Sequence, residues 1–243
     1  MNNLSASIVL ASYNGERYIY KQLYSILIQM RFEDEIIIID DCSKDETVNL
    51  IKGLFKKFNK LNSSLYINKK NLGPKKSFEK GLKKVTKNIT VLSDQDDIWI
   101  EGRLSKIKKS LKNYDFCTLN SYILENDNIK ICSEFTFNLV KPSKSIIKNI
   151  IKPSFIGCHI AFKSSYLKYI LPFPNLVYMH DMYIGIFALL SGSLFIDNNP
   201  SMYYRRHLNC YTPKNTDLLF KILIRVRYLM TIIFVKILLF KSK

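Results

Sequence analysis

The chain has 243 residues, 47% of them hydrophobic, and a formal net charge of +17 from 37 Lys and Arg against 20 Asp and Glu. This size and apolar content support one compact domain, or a domain with a small appendage, and exclude a disordered chain. The charge favours an anionic partner, whether nucleic acid, an acidic membrane surface or a phosphorylated small molecule, although a Lys, Ile and Asn bias can also follow from genome composition.

In chain order, Ala6–Ala11 is a short apolar run closed by the turn residues Asn14-Gly15, and a helical pattern follows from Tyr18 to Met30. Glu35–Ile39 contains four consecutive isoleucines, as expected of a parallel strand buried on both faces. It ends in Asp40-Asp41, after which Ser43-x-x-Glu46 reads as a capping box opening a helix through Phe58. Leu65–Ile67 is a third strand, Ser77–Val85 a third helix, and Ile89–Leu92 a fourth strand running into Ser93-Asp-Gln-Asp-Asp. This alternation predicts an α/β fold, an open and mostly parallel sheet flanked by helices, with ligands at the carboxyl ends of the strands.

Beyond that point the rhythm weakens. Asp115–Tyr122 is a further strand, 123–150 is irregular with a helix near Lys144–Ile151, and Phe155–Phe162 and Leu194–Ile196 are strands of a smaller mixed portion. Residues 218–243 hold six basic and no acidic side chains, and the longest uncharged segment there is the eight residues 228–235. A bilayer span needs about 20 apolar residues, so the tail reads as an interfacial helix or a packing helix, with the membrane surface favoured. Five cysteines, at 42, 117, 132, 158 and 210, form no CxxC pair and read as free thiols in a reducing compartment. With no signal-peptide pattern at the start, a cytoplasmic protein is expected.

Three carboxylates within four positions, Asp94, Asp96 and Asp97, repel one another unless a cation lies between them. Asp94 and Asp96 are two apart, so in extended backbone they lean to one side and can share a divalent ion. An acidic turn is the plainer alternative. The position decides between them: Ser12–Asn14, Asp40-Asp41 and Asp94–Asp97 all fall at strand carboxyl ends, which favours an active site.

Four motifs, Ser7-Ile-Val-Leu-Ala-Ser-Tyr-Asn-Gly, Glu35-Ile-Ile-Ile-Ile-Asp-Asp-Cys-Ser-Lys-Asp-Glu-Thr, Asn71-Leu-Gly and Ser93-Asp-Gln-Asp-Asp-Ile-Trp, resemble in order and spacing a family-2 glycosyltransferase of the GT-A fold. Ser93–Trp99 and His180–His207 are similar to its rhamnosyltransferase-like members. The resemblance implies a Rossmann-like domain over 1–217, with a nucleotide-sugar-binding half at 1–112, a mixed acceptor-binding half at 113–217, and a C-terminal amphipathic helix over 218–243. By the same resemblance Tyr13, with Ser12, Asn14 and Glu16 around it, would stack on the nucleobase, and Asp41 would accept a hydrogen bond from the base or ribose. Asn71, Gly73 and Lys76 would lie beside the diphosphate. Asp94 and Asp96 would form the Asp-x-Asp element, with Asp96 the direct ligand of Mg²⁺ or Mn²⁺, Asp97 supporting, and His207 touching metal or diphosphate. Arg206, or Arg205 beside it, would clamp phosphate.

Asp181, in Met179-His-Asp-Met-Tyr, matches the family's general base, with His180 where Glu is commoner. Gly157, Cys158 and His180 would line the acceptor pocket, and Trp99 would pack under a sugar or else lie in the core. His159 reads as a satisfied core residue. The implied reaction is an inverting transfer from a nucleoside diphosphate sugar, dTDP-rhamnose or a UDP-sugar, to a hydroxyl of a lipid-linked or oligosaccharide acceptor. It would belong to cell-surface polysaccharide biosynthesis at the inner face of the membrane, with no nucleic acid partner. A nucleotidyltransferase would need a Gly-rich basic loop where Ser12-Tyr-Asn-Gly-Glu offers an aromatic and an acid. A non-catalytic nucleic-acid or membrane binder leaves the carboxylates unexplained.

Overall fold

A computed structural model describes residues 4–125, 131–206 and 217–241. Strand β1 (Ala6–Ser12) leads to α1 (Ile19–Leu27), β2 (Glu35–Asp40), α2 (Thr47–Lys57), β3 (Asn62–Ile67), α3 (Pro74–Leu82) and β4 (Ile89–Ser93). The short β5 (Ile98–Trp99) and α4 (Arg103–Asn113) are followed by β6 (Phe116–Leu119), β7 (Tyr122–Glu125), β8 (Ile131–Phe135), α5 (Thr136–Leu139) and α6 (Ile146–Ile151). A 3-10 turn at Gly157–His159 opens β9 (Ile160–Lys163), and then come α7 (Leu167–Ile170), α8 (His180–Ser191), β10 (Leu194–Asp197), β11 (Met202–Arg206) and α9 (Leu218–Lys241).

The main sheet has seven strands in the order β10-β6-β9-β4-β1-β2-β3, parallel throughout except for β9, which runs antiparallel to both neighbours. Side chains alternate across it, so Ile8, Leu10, Ile36 and Ile38 face α1, α2 and α4, while Val9 and Leu92 face α3, α8 and α9. The register sets Ser12 opposite Asp40 and Leu10 opposite Ser93, so β1, β2 and β4 release their polar residues at one edge. A second sheet, β5-β11-β7-β8, begins directly after the acidic loop.

Several elements differ from expectation. No capping box forms at α2: the Ser43 hydroxyl donates to Asp40 Oδ2 at 2.6 Å instead, and the helix begins at Thr47. The strand expected over Asp115–Tyr122 is two strands in different sheets. The break falls at Asn120, whose side-chain Oδ1 accepts from Ser121 N and Phe137 N and whose Nδ2 donates to Asn198 O. Only the end of Phe155–Phe162 is extended. The tail is a helix that is apolar on two opposite faces rather than amphipathic. Tyr228, Thr231, Ile232 and Val235 are buried on the inner face, against α8 among other elements. Among the described residues no helix is long and apolar enough to cross a membrane, and Cys42, Cys117 and Cys158 are free thiols.

Candidate active site

A cavity of about 430 Å³ lies at the polar edge of the main sheet. Its floor is built by the three strand ends. After β1 the backbone turns at Asn14 with φ 44°, and after β2 at Cys42 with φ 70°. Asp40 is fully buried and ties the two turns together, accepting from Ser12 Oγ at 2.9 Å and from Ser43 N at 2.8 Å. Asp41 faces the cavity, but its carboxylate is committed to the loop before α3, accepting from Asn68 Nδ2, Leu72 N and Gly73 N at 2.7 to 2.9 Å. That loop lays Asn71 and Gly73 along the cavity wall, with Gly73 at φ 81°.

The acidic loop after β4 is held from three sides. From α1, Gln22 Nε2 donates to Ser93 Oγ at 2.7 Å and to Asp94 O at 3.0 Å. The Gln95 side chain grips the Tyr13 backbone, its oxygen accepting from Tyr13 N and its amide donating to Tyr13 O. From β11, Arg205 donates through Nε to Asp96 O at 2.8 Å and through its backbone N–H to Asp97 Oδ1 at 3.1 Å, with its guanidinium 4.7 Å from the Tyr18 ring centre.

These contacts fix three carboxylates in place without neutralising them. Burial first, then the Asp96 carboxylate, raises Asp94 to about 7, and Asp181 adds to this. Burial, and then the Asp96 and Asp94 carboxylates, push Asp97 well above the usual carboxylate range. Asp97 Oδ2 is buried with no hydrogen-bond partner, and ligand atoms of Asp94, Asp97 and Cys158 lie within 4.8 Å of one another. A set of mainly carboxylate oxygens with an orphaned buried atom and mutual repulsion fits a hard divalent cation. Burial raises the Cys158 thiol well above its normal value, so it keeps its proton beside the carboxylates.

The facing wall comes from α8 and the Gly157 turn. Asp181, in the first turn of α8, accepts from Met182 N at 2.7 Å, and burial lifts its carboxyl to about 6 against that bond and others from backbone N–H groups. His180 is stacked on Phe78 with ring centres 4.1 Å apart, and both ring nitrogens lack partners. Burial lowers it to about 3, so it is neutral. A Cβ at Gly157 would stand 2.9 Å from His180 Nε2, so the close approach of the turn to this ring requires glycine. Lys75 Nζ donates to Val177 O at 2.6 Å and ties α3 to the segment entering α8.

Of the residues singled out from sequence, Ser12, Tyr13, Asp41, Asn71, Gly73, Asp94, Asp96, Gly157, His180 and Asp181 share this one cavity. Others lie elsewhere. Asn14 Oδ1 accepts from Lys44 N and Glu16 Oε2 from Glu46 N, so both brace the turn into α2 and neither lines the cavity. Lys76 is near Glu79 at 3.7 Å on an exposed surface. Trp99 is buried in the core with Arg103 5.2 Å from its ring centre, which removes it from any sugar. Cys158 lies beneath the cavity among the aspartates, not on the acceptor wall. Arg205 lines the cavity, whereas Arg206 is exposed outside it. His207 lies outside the described residues. His159 is buried with Nε2 3.0 Å from Ser121 Oγ, as expected of a core histidine. Phe78 and Ile156 line the cavity without any local sequence signal, since only the packing of α3 and of the Gly157 turn brings them there.

A model of the family described as glycosyl transferase family 2 matches residues 7–171. The dTDP-rhamnosyl transferase RfbG of Shigella flexneri is 30% identical over 213 residues, which cover 82% of this chain and 72% of that protein. The UDP-Glc:alpha-D-GlcNAc-diphosphoundecaprenol beta-1,3-glucosyltransferase WfgD of Escherichia coli is 29% identical over 202 residues, covering 83% and 74%. Staphylococcus aureus TarS 1-349 in complex with UDP-GlcNAc superposes with a TM-score of 0.65 at 18% identity; the match covers 86% of this chain but only 60% of TarS 1-349. The mannosyltransferase PcManGT of Pyrobaculum calidifontis, in complex with GDP-Man and Mn²⁺, gives 0.63 at 16% identity, covering 100% and 76%. At these identities the two structures establish a shared fold.

Proposed function

The chain belongs to glycosyl transferase family 2, and from that premise we propose that it moves a sugar from a nucleoside diphosphate donor to a hydroxyl of a cell-surface glycan acceptor, with inversion at the anomeric carbon. A dTDP- or UDP-sugar is the favoured donor, in line with the names of RfbG and WfgD. The observation that carries the reading is the single cavity lined both by Asp94 and Asp96 on one wall and by Asp181 on the other. A displacement needs both functions around one substrate pair, a grip on the leaving diphosphate and a base for the attacking hydroxyl.

In the proposed mechanism, Tyr13 at the cavity rim, 44% exposed, offers its ring to the nucleobase. The loop that Asp41 holds presents Asn71 and Gly73 to the donor, and Arg205 supplies the nearby positive charge. Asp94 and Asp96 would hold Mg²⁺ or Mn²⁺, with Asp97 and Cys158 supporting Asp94 from beneath, and such an ion neutralises charge on the departing diphosphate. Asp181 takes the proton of the acceptor hydroxyl as its oxygen bonds to the anomeric carbon and the bond to the diphosphate breaks. Gly157 and His180 form the acceptor side. The acceptor is lipid-linked, and the enzyme works peripherally at the inner face of the membrane, a location supported by the basic and apolar composition of 218–243.

Asp181→Asn tests the reading. Donor binding, measured by calorimetry with a panel of nucleoside diphosphate sugars, should be retained, while transfer falls by about 10²- to 10⁴-fold. Undiminished turnover would remove Asp181 as the base.

A further inference from the structure

Helix α9 is apolar on two sides, and only one of them is used. At helical spacing, Tyr228, Thr231, Ile232 and Val235 form the buried inner face. Opposite them, Leu219, Ile222, Val226, Met230, Ile233 and Ile237 run along the outer face, with Ile233 at 58% exposure, and Phe240 at 82% extends it. Helix α6 touches α9 and carries exposed apolar residues of its own. There Ile147 is 70% and Ile151 62% exposed, and Arg225 of α9 donates to Ile151 O at 3.3 Å. Exposed apolar side chains gathered on two touching elements exceed the isolated apolar residues of an ordinary surface and mark an interaction site.

The charge around this face selects its occupant. Residues 141–153 and 218–241 together contain nine Lys and Arg and no Asp or Glu. A second copy of the chain docked face to face would set these cations against their equals. A bilayer carrying anionic headgroups accepts both features, taking the apolar side chains at the headgroup boundary and the cations among the phosphates. The α9 helix, about 36 Å long at 1.5 Å per residue, is long enough to lie along such a surface.

We infer that α6 and the outer face of α9 together form the surface by which the enzyme docks on an anionic bilayer, with α9 lying flat on it. The inference rests on the membrane-side reading above and adds which surface makes contact. It also orients the active site, because α9 packs by its inner face on α8, whose first turn carries Asp181. The base is thus one helix away from the lipid surface in which a lipid-linked acceptor is anchored.

Deleting α9 would strip the cover from α8, so the test uses outward substitutions in the full chain. Co-sedimentation compares vesicles of phosphatidylglycerol and phosphatidylethanolamine with vesicles of phosphatidylcholine alone, for the native chain, Ile147→Glu/Ile151→Glu and Ile233→Glu/Ile237→Glu. The native chain should bind the anionic vesicles at least tenfold more tightly than the neutral ones, with the preference shrinking at high salt. Each double variant should lose at least tenfold of that binding while keeping its melting temperature and its turnover of a soluble acceptor. Equal binding to both vesicle types, or native binding by either variant, overturns the inference. So does a dimer seen by light scattering that the same substitutions break, since that would assign the face to a second copy. A native chain that binds the vesicles as expected but transfers no sugar would sink the catalytic reading and leave the docking surface standing.

Discussion

Burial alone would push the Asp181 carboxyl above its usual range, and backbone N–H bonds pull part of that shift back, leaving it at about 6. At neutral pH it is therefore ionised, yet more basic than an exposed aspartate, which suits a group that must take a proton from a hydroxyl. Transfer needs the carboxylate form, so kcat should be level above the pKa and fall about tenfold per pH unit well below 6. His180 and His159, both held near 3 by burial, stay neutral across that range and add no second limb. Asp94 does titrate close by, at about 7, raised by burial first and by the Asp96 carboxylate second; saturating Mn²⁺ would draw it down and isolate Asp181. A kcat profile measured that way and found flat between pH 5 and pH 8 would take the proton-accepting role away from Asp181.

At the level of elements, the β1–α1 turn shows how the fold couples distant loops. A Cβ on Gly15 would collide with Gln95 Oε1, the atom that accepts from Tyr13 N and joins the acidic loop to the turn. Gly15→Ala should therefore cost about 1 to 3 kcal/mol in urea unfolding, as overpacking does, and weaken donor binding by shifting Tyr13. Combined with Gln95→Ala the added cost should be less than the sum of the two single changes; strict additivity would show that the side chains do not meet. The strands feeding this turn are legible in the sequence because a parallel strand buried on both faces must be apolar throughout, as Ile36–Ile39 is. The capping box after Asp41 misleads because Ser43 has a competing partner in Asp40, reachable only once β2 has ended. Nor does local patterning reveal the break at Asn120, which depends on contacts with residues 137 and 198.

For the whole molecule, the half of the site that follows from strand order could be read in advance, since Ser12, Asp41 and Asp94 leave the sheet at one edge. The half that depends on how the second sheet and α8 pack against it could not. Arg205 rather than Arg206 enters the cavity, Trp99 turns to the core and Cys158 sits under the aspartates. The assembled site makes stability depend on pH in a definite way. Asp94 and Asp181 hold their protons more tightly folded than unfolded, so their contribution to stability is complete below about 4 and is lost as pH rises to about 7 for Asp94 and about 6 for Asp181. The buried histidines act in the opposite sense: neutral when folded, they cost stability as pH falls below about 6.5. The melting temperature of the metal-free chain therefore mixes two trends, and the informative quantity is the shift produced by Mn²⁺ at each pH. A cation among Asp94, Asp96 and Asp97 relieves a repulsion that exists only once they ionise, so Mn²⁺ should raise the melting temperature more at pH 8 than at pH 5. Asp96→Ala should shrink the shift at pH 8. Equal shifts at both pH values, or an undiminished shift in the variant, would remove the acidic loop as the cation site.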